Sequence, residues 1–123
     1  MIKMSSGEFA RIVRDLSQFG ESITVGCSKQ GVKFTSSGDI GTGNIKLATN
    51  ASVDGNTIEV DLQEPVTLTF ASRYLNSFAK AAGLSDKVQL SMSPDVPLVV
   101  EFKVSDIGYI RYYLAPKIED EDN

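Results

Sequence analysis

The chain of 123 residues contains no histidine and only one cysteine, Cys27. Without histidine it lacks the side chain most often used as a general base near neutral pH, and with one cysteine it cannot build a zinc cage. A lone cysteine cannot form an internal disulfide, which is typical of a reducing cytosolic or nuclear compartment. We therefore expect no metal, no cofactor and no enzymatic activity, and a small hydrolase is disfavoured.

Long apolar runs are also absent. No stretch approaches the roughly 20 apolar residues of a membrane helix, and no charged-then-apolar leader opens the chain, so we expect no membrane partner. The hydrophobic content of 41% is close to that of an ordinary globular domain. We expect one domain over residues 1–118, followed by an acidic disordered tail over residues 119–123.

The charges are unevenly distributed. The formal net charge is −4, which argues against a simple nucleic-acid binder. Residues 119–122 supply four of the sixteen acidic side chains, so the remaining body has twelve acids against twelve bases. The body is neutral, and a local basic face is therefore compatible with the overall composition.

Two segments have the three- and four-residue apolar spacing of amphipathic helices. The predicted stripes are Phe9, Ile12, Val13, Leu16 and Phe19 in the first, and Tyr74, Leu75, Phe78, Ala79 and Ala82 in the second. Ser5 with Glu8 predicts a capping box for the first helix, and Gly20 suits its exit. Ser72 is the candidate cap of the second helix and Gly83 its candidate stop.

The rest of the chain alternates with a period of two, which predicts antiparallel strands with one buried face. The inward sets include Ile23, Val25 and Cys27, then Val32 and Phe34, Ile45 and Leu47, Ile58, Val60 and Leu62, Val66, Leu68 and Phe70, Val88, Leu90 and Met92, Leu98, Val100, Phe102 and Val104, and Ile110, Tyr112 and Leu114. Each helix is followed by three strands, which indicates an internal pseudo-repeat. We predict an α+β fold with both helices packed on one face of the sheets, and a surface loop over residues 49–56.

Four basic side chains lie off the apolar stripes of the helices: Arg11, Arg14, Arg73 and Lys80. If the helices lie side by side, these cations can share an exposed face and meet phosphates without reading bases. Exposed helices also commonly have Arg and Lys for solubility, and spacing alone favours that simpler interpretation. Cys27 falls on the inward side of its strand, which indicates an inert core thiol.

Two segments leave alternatives open. Residues 43–48 form a sheet edge that invites pairing with another chain, unless a neighbouring strand covers it. The run that ends at Ile118 is a frayed terminus, or else a surface where a bound peptide pairs with backbone and inserts anchors into an apolar pocket. Pro97 and Tyr113 would help to line such a pocket.

Several motifs resemble the carboxy-terminal half of the proliferating cell nuclear antigen family, the eukaryotic DNA sliding clamps. They include Gly7-Glu-Phe-Ala-Arg-Ile, Gly43-Asn-Ile-Lys-Leu, Glu64-Pro-Val-Thr-Leu-Thr-Phe, Asp95-Val-Pro-Leu-Val-Val-Glu and Tyr112-Tyr-Leu-Ala-Pro-Lys-Ile-Glu-Asp-Glu. The resemblance covers essentially the whole chain. It implies that three two-domain subunits close head to tail into a ring around duplex DNA, as a homotrimer with its helices lining the hole.

The resemblance also implies roles for individual residues. Arg11, Arg14, Arg73 and Lys80 would face the DNA, against the simpler interpretation from spacing. The strand that pairs with the next subunit is matched by Ile40, Gly43, Ile45 and Leu47. The pocket for a clamp-binding peptide, a glutamine followed by apolar and paired aromatic residues, is matched by Ala71, Pro97, Tyr113, Ala115, Pro116, Lys117 and Ile118. Lys29 matches the lysine that the family modifies with ubiquitin or its relatives.

The function implied for the family is that of a nuclear, non-catalytic processivity factor and docking scaffold for replication and repair proteins. Expected partners are DNA polymerase subunits, the clamp loader, a nuclease and a ligase. The amino-terminal domain and the interdomain connecting loop have no counterpart here, and the loop after Thr49 is shorter and less acidic than is usual. One hypothesis is a single clamp domain with residual DNA and peptide binding. The other is a half-clamp that self-associates, or regulates a full clamp, through its edge strand.

Overall fold

A computed structural model describes residues 1–38, 41–48, 52–53, 56–61, 64–93, 96–104, 106 and 108–117. Helices and strands alternate along these residues. In chain order they are β1 (Ile2–Ser5), α1 (Ser6–Leu16), β2 (Ser22–Ser28), β3 (Gly31–Gly38), β4 (Gly41–Ala48), β5 (Ser52–Val53), β6 (Asn56–Thr57), β7 (Glu59–Val60), β8 (Val66–Ala71), α2 (Ser72–Ala79), a 3₁₀ turn (Lys80–Leu84), β9 (Lys87–Ser93), β10 (Val96–Val104) and β11 (Gly108–Leu114).

The strands form two larger antiparallel sheets, and each helix connects one sheet to the other. The five-stranded sheet has the order β11-β10-β9-β1-β7, and the four-stranded sheet has the order β4-β3-β2-β8. Helix α1 leads from β1 to β2, and α2 leads from β8 to β9. The helices pack against each other over a core shared by the two sheets. The predicted α+β architecture is confirmed.

The pseudo-repeat is confirmed, and the structure adds a strand in front of each helix. That first strand pairs with the other repeat: β1 pairs with β9 through Ile2 and Leu90, and β8 pairs with β2 through Phe70 and Ile23. Each larger sheet therefore contains strands from both halves of the chain. Because neither half completes its sheet alone, the two repeats form one domain.

Helix α1 has the predicted stripe and cap. Phe9, Ile12, Val13 and Leu16 are buried, and the Ser5 hydroxyl accepts a hydrogen bond from the Glu8 backbone N–H at 3.4 Å. The helix ends at Leu16, so the last predicted member of the stripe, Phe19, lies in the turn that follows. Its ring contacts β4, where a Cβ on Gly43 would lie 2.9 Å from the ring.

Helix α2 departs from prediction in its cap, its stripe and its end. The residue before the helix is Ala71, which gives no side-chain cap, and Ser72 is the first helical residue. Tyr74 is 44% exposed, outside the core, and the Arg73 guanidinium lies over its ring, 4.8 Å from the centroid. The α-helix ends at Ala79, and Lys80 begins the 3₁₀ turn.

A buried serine begins each helix and contacts the turn that follows the other helix. The Ser72 hydroxyl donates to the Gly20 carbonyl at 3.0 Å, and its backbone N–H donates to the Glu21 carbonyl at 2.9 Å. The Ser6 hydroxyl donates to the carbonyls of Ala82 and Ser85, after α2. The start of each helix is therefore hydrogen-bonded to the backbone that follows the other helix, so the two repeats contact each other in the same way.

The prediction of a surface loop over residues 49–56 is only partly right, because the segment contains short strands. Where the structure describes it, β5 pairs with β6 through Ser52 and Thr57, and Val53 and Asn56. The predicted strand from Ile58 to Leu62 is reduced to β7, and Leu62 lies outside the described residues. Alternating patterns indicate strands poorly in stretches this short.

We expect Ser6→Ala and Ser72→Ala each to lower the free energy of unfolding by about 1–3 kcal/mol, because a buried carbonyl loses its donor. Urea denaturation measures this change. Ser77→Ala is the control: its hydroxyl donates to the Arg73 carbonyl at an exposed site on α2, so its loss leaves no buried carbonyl without a donor. A Ser72→Ala variant no less stable than Ser77→Ala would contradict the account.

Candidate functional site

The four predicted DNA-facing side chains lie on one layer, formed by α1, α2 and the 3₁₀ turn, and termed the helix layer below. Arg11, Arg14, Arg73 and Lys80 are all exposed. On α1, Arg11 forms an ion pair with Glu8, and the Arg14 Nε lies 4.0 Å from the Asp15 carboxylate. The two cations of α1 are therefore partly balanced by carboxylates of their own helix.

The cations of α2 and the 3₁₀ turn have fewer carboxylates near them in sequence than those of α1. No acidic side chain occurs in α2 or the 3₁₀ turn. Among the described residues, Arg73 has no ion pair, and its guanidinium donates to the Tyr74 hydroxyl at 3.2 Å. Lys80 likewise has no ion pair in the described part of the chain. The unbalanced positive charge of the helix layer thus lies at Arg73 and Lys80.

The predicted peptide surface begins at the end of the β10–β11 pair. Val99 pairs with Tyr113, and Leu98 pairs with Leu114, so Pro97 lies beside the end of β11. Pro97 is exposed, and Tyr113 is 62% exposed. At the other end of β11, Tyr109 is 57% exposed and lies under the Arg111 guanidinium. A hydrogen bond to Glu101 raises the pKa of Arg111.

The segment after β11 crosses from the five-stranded sheet to the four-stranded sheet. The Lys117 backbone N–H donates to the Thr69 carbonyl on β8 at 2.7 Å, and its Nζ donates to the Ser22 hydroxyl at 2.6 Å. Ala71, at the end of β8, and Lys117 line a common open cavity of about 460 Å³. The Lys117 N–H is therefore bonded within the domain. Ile118 lies outside the described residues.

The predicted subunit-interface strand is the outer strand of the four-stranded sheet. Within the described residues, β4 pairs with β3 along one edge only. Gly43, Ile45 and Leu47 are half-buried and belong to the inward set, with Gly43 against Phe19. In the described structure the outer margin of β4 is therefore its backbone edge, and these three side chains face inward. Ile40 lies outside the described residues.

The remaining sequence predictions concern chemistry. Cys27 is buried, as predicted, and burial raises the pKa of its thiol, so the thiolate needed by a nucleophile is disfavoured. In the part of the chain that the structure describes, no three His, Cys, Asp or Glu side chains come together as a metal site. The described helices are all too short and too polar to cross a bilayer. Lys29 is exposed in the β2–β3 turn.

Comparison with known families identifies the family of the chain. The family model described as proliferating cell nuclear antigen, C-terminal domain, matches residues 1–117 of the 123. The chain belongs to this family. It is a domain of a sliding clamp, the class of protein that acts with DNA and protein partners in DNA replication. The resemblance seen in the sequence is confirmed, and the fold has the two helices and two antiparallel sheets expected of it.

The sequence alone found part of the surface of this proliferating cell nuclear antigen family domain and missed part of it. The sequence pointed to Arg11, Arg14, Arg73 and Lys80, and it also shows that Glu8 and Asp15 lie among the cations of the first helix. It gave Ser72 only as a candidate cap and did not single out Ser6; the bonding partners of both serines are more than 50 residues away along the chain. Their serine identity and helix-start position were visible, but the pairing was not.

Proposed function

We propose that the chain acts as one domain of a ring-shaped processivity factor, with its helix layer toward duplex DNA and its β11 exit as a docking surface for partner peptides. The observation that supports this most directly is the grouping of four exposed cations on a layer that contains two carboxylates, Glu8 and Asp15. Exposed cations of this kind bind phosphates without sequence preference.

A ring needs little intrinsic affinity for DNA, because it retains the duplex by topology. That requirement is compatible with a formal net charge of −4. It also explains why weak contacts from a few side chains suffice. The DNA interaction we propose is therefore electrostatic, independent of sequence and strongly dependent on salt.

We expect Arg73→Gln with Lys80→Gln to weaken binding of a labelled duplex more than Arg11→Gln with Arg14→Gln, because the α1 pair is already partly neutralised. Fluorescence anisotropy at several low salt concentrations measures both affinity and salt dependence. Each lost phosphate contact should reduce the magnitude of the negative slope of log K against log salt by about 0.9.

The matched control is Lys3→Gln with Lys103→Gln, two exposed lysines on strands of the five-stranded sheet. It removes the same charge from a different surface and should leave the salt slope unchanged. An equal loss in the control and the Arg73 and Lys80 variant would show that net charge, rather than the helix layer, determines binding.

The docking surface rests on Tyr113, Pro97 and the segment over residues 115–117. An exposed tyrosine beside an exposed proline gives an apolar anchor point, and a strand-like peptide can pair with the backbone of the segment that follows β11. A surface with so few anchoring side chains should bind a peptide weakly.

We expect Tyr113→Ala to reduce the affinity for a peptide with a glutamine followed by apolar and paired aromatic residues at least about fivefold, the loss of one aromatic anchor worth about 1 kcal/mol. Titration followed by heteronuclear NMR detects such weak binding. Tyr109→Ala removes an equally exposed ring from the far end of β11 and should have no effect. Equal losses would place the peptide elsewhere.

A second function, a half-clamp that self-associates or captures a full clamp, is favoured by the edge of β4. Among the described residues this eight-residue strand pairs with β3 only, so the backbone groups of alternate residues face away from β3, and such edges pair with other chains. Light scattering over a range of concentrations should show association. A concentration-independent monomer that also fails to be retained by an immobilised full clamp would exclude this function.

A further inference from the structure

The outer face of the four-stranded sheet has an unusual pair of charges. Lys33 on β3 is directly opposite Lys46 on β4, and both side chains are exposed. Directly opposed like charges on neighbouring strands destabilise a sheet. Neither lysine has an ion pair or a side-chain hydrogen bond among the described residues. The pair is thus a positive site without a described counter-charge.

A groove lies beside this pair because its neighbour on β2 is a glycine. The cross-strand row runs from Thr67 through Gly26 and Lys33 to Lys46. Gly26 adds no side chain, and the open groove, of about 450 Å³, is also lined by Gln30 and Pro65. We call this surface the lysine groove. Its size and its two ammonium groups suit an extended acidic peptide.

The chain contains such a peptide close by. Lys117 lies beside Thr69, which is two positions from Thr67 on the same strand and belongs to the same outward set. Residues 119–122 are Glu, Asp, Glu and Asp, and they lie outside the described residues. From Lys117 to Asp122, five residues span at most about 17 Å. Two strand positions and three strand spacings separate Thr69 from Lys46, about 16 Å on the diagonal, and Lys117 lies about one strand spacing beyond Thr69. The extended segment therefore spans the distance to the backbone of Lys33, and the Lys46 ammonium is met through the length of the lysine side chain.

We propose that the acidic segment over residues 119–122 binds in the lysine groove of its own chain. The four carboxylates supply the counter-charge that Lys33 and Lys46 lack. The link through Lys117 makes the contact intramolecular, with an effective concentration in the millimolar range, so that contacts too weak to hold a free peptide suffice. The groove is a binding site for acidic peptides, and its own segment is the occupant that any competing acidic partner must displace. This proposal is independent of the DNA and peptide roles proposed for the other surfaces.

The test uses NMR of the full chain and a tail-neutral variant, with Glu119→Gln, Asp120→Asn, Glu121→Gln and Asp122→Asn combined. The backbone amides of Gly26, Lys33 and Lys46 should differ between the two proteins. The difference should be lost in about 1 M salt, where the Debye length is about 3 Å. Unchanged amides in the groove, or changes centred on the helix layer, would overturn the proposal. Glu59→Gln, an acidic site on the other sheet, is the control and should leave the groove unchanged.

The reciprocal experiment changes the groove and observes the segment. In Lys33→Gln with Lys46→Gln, the order parameters of the amides of residues 119–122 should fall relative to the unmodified chain. Lys3→Gln with Lys103→Gln should leave them as they were. Equal order parameters in all three proteins would overturn the proposal, even if both variants fold normally.

Addition of separate ligands to the tail-neutral variant tests the class of occupant. A synthetic peptide of residues 118–123 should shift the amides of Gly26, Lys33 and Lys46, and the shifts should be absent with the unmodified chain at the same peptide concentration. A short duplex DNA should not shift these amides. A larger response to duplex than to peptide would make the groove a nucleic-acid site and contradict the proposal.

Discussion

The hydrogen bonds from Ser6 and Ser72 are the contacts on which the arrangement of the helices depends. Each serine begins a helix, is buried, and donates to the backbone that follows the other helix. The strand before each helix also pairs with the other half of the chain. The two repeats therefore contact each other reciprocally, through the serine hydrogen bonds and through the pairing of the first strands. Both sets of contacts fix α1 against α2. These reciprocal contacts bring the cations of α1 and those of α2 and the 3₁₀ turn, which are distant in the sequence, onto one layer.

The electrostatics follow from that geometry. The formal charge of the chain is negative, yet its surfaces differ. Arg73 on α2 and Lys80 in the 3₁₀ turn have no ion pair among the described residues, whereas α1 partly balances its arginines with its own carboxylates. The outer face of the four-stranded sheet has a second positive site at Lys33 and Lys46. Net charge is therefore a poor guide to what a clamp domain can bind, because affinity follows local charge within about one Debye length, roughly 8–10 Å at moderate salt.

Periodicity predicted the elements whose burial depends on one face, such as α1 with Phe9 and Ile12, and β2 with Ile23 and Val25. It failed at Tyr74, because an aromatic residue at a stripe position was read as core, whereas its ring is 44% exposed and lies under the Arg73 guanidinium. Local spacing also has no information about partners distant in the chain. The exchange of β1 and β8, the bonds of the helix-start serines and the opposition of Lys33 and Lys46 all depend on register between strands, which a single sequence does not specify.

The central claim is that the helix layer, rather than either sheet, is the surface that faces DNA. NMR of the isotopically labelled chain with a short duplex at low salt tests it most directly. The account predicts that chemical-shift changes are confined to α1, α2 and the 3₁₀ turn, are largest around Arg73 and Lys80, and shrink as salt is added. Changes centred on the outer face of either sheet, with the helix layer unaffected, would contradict it.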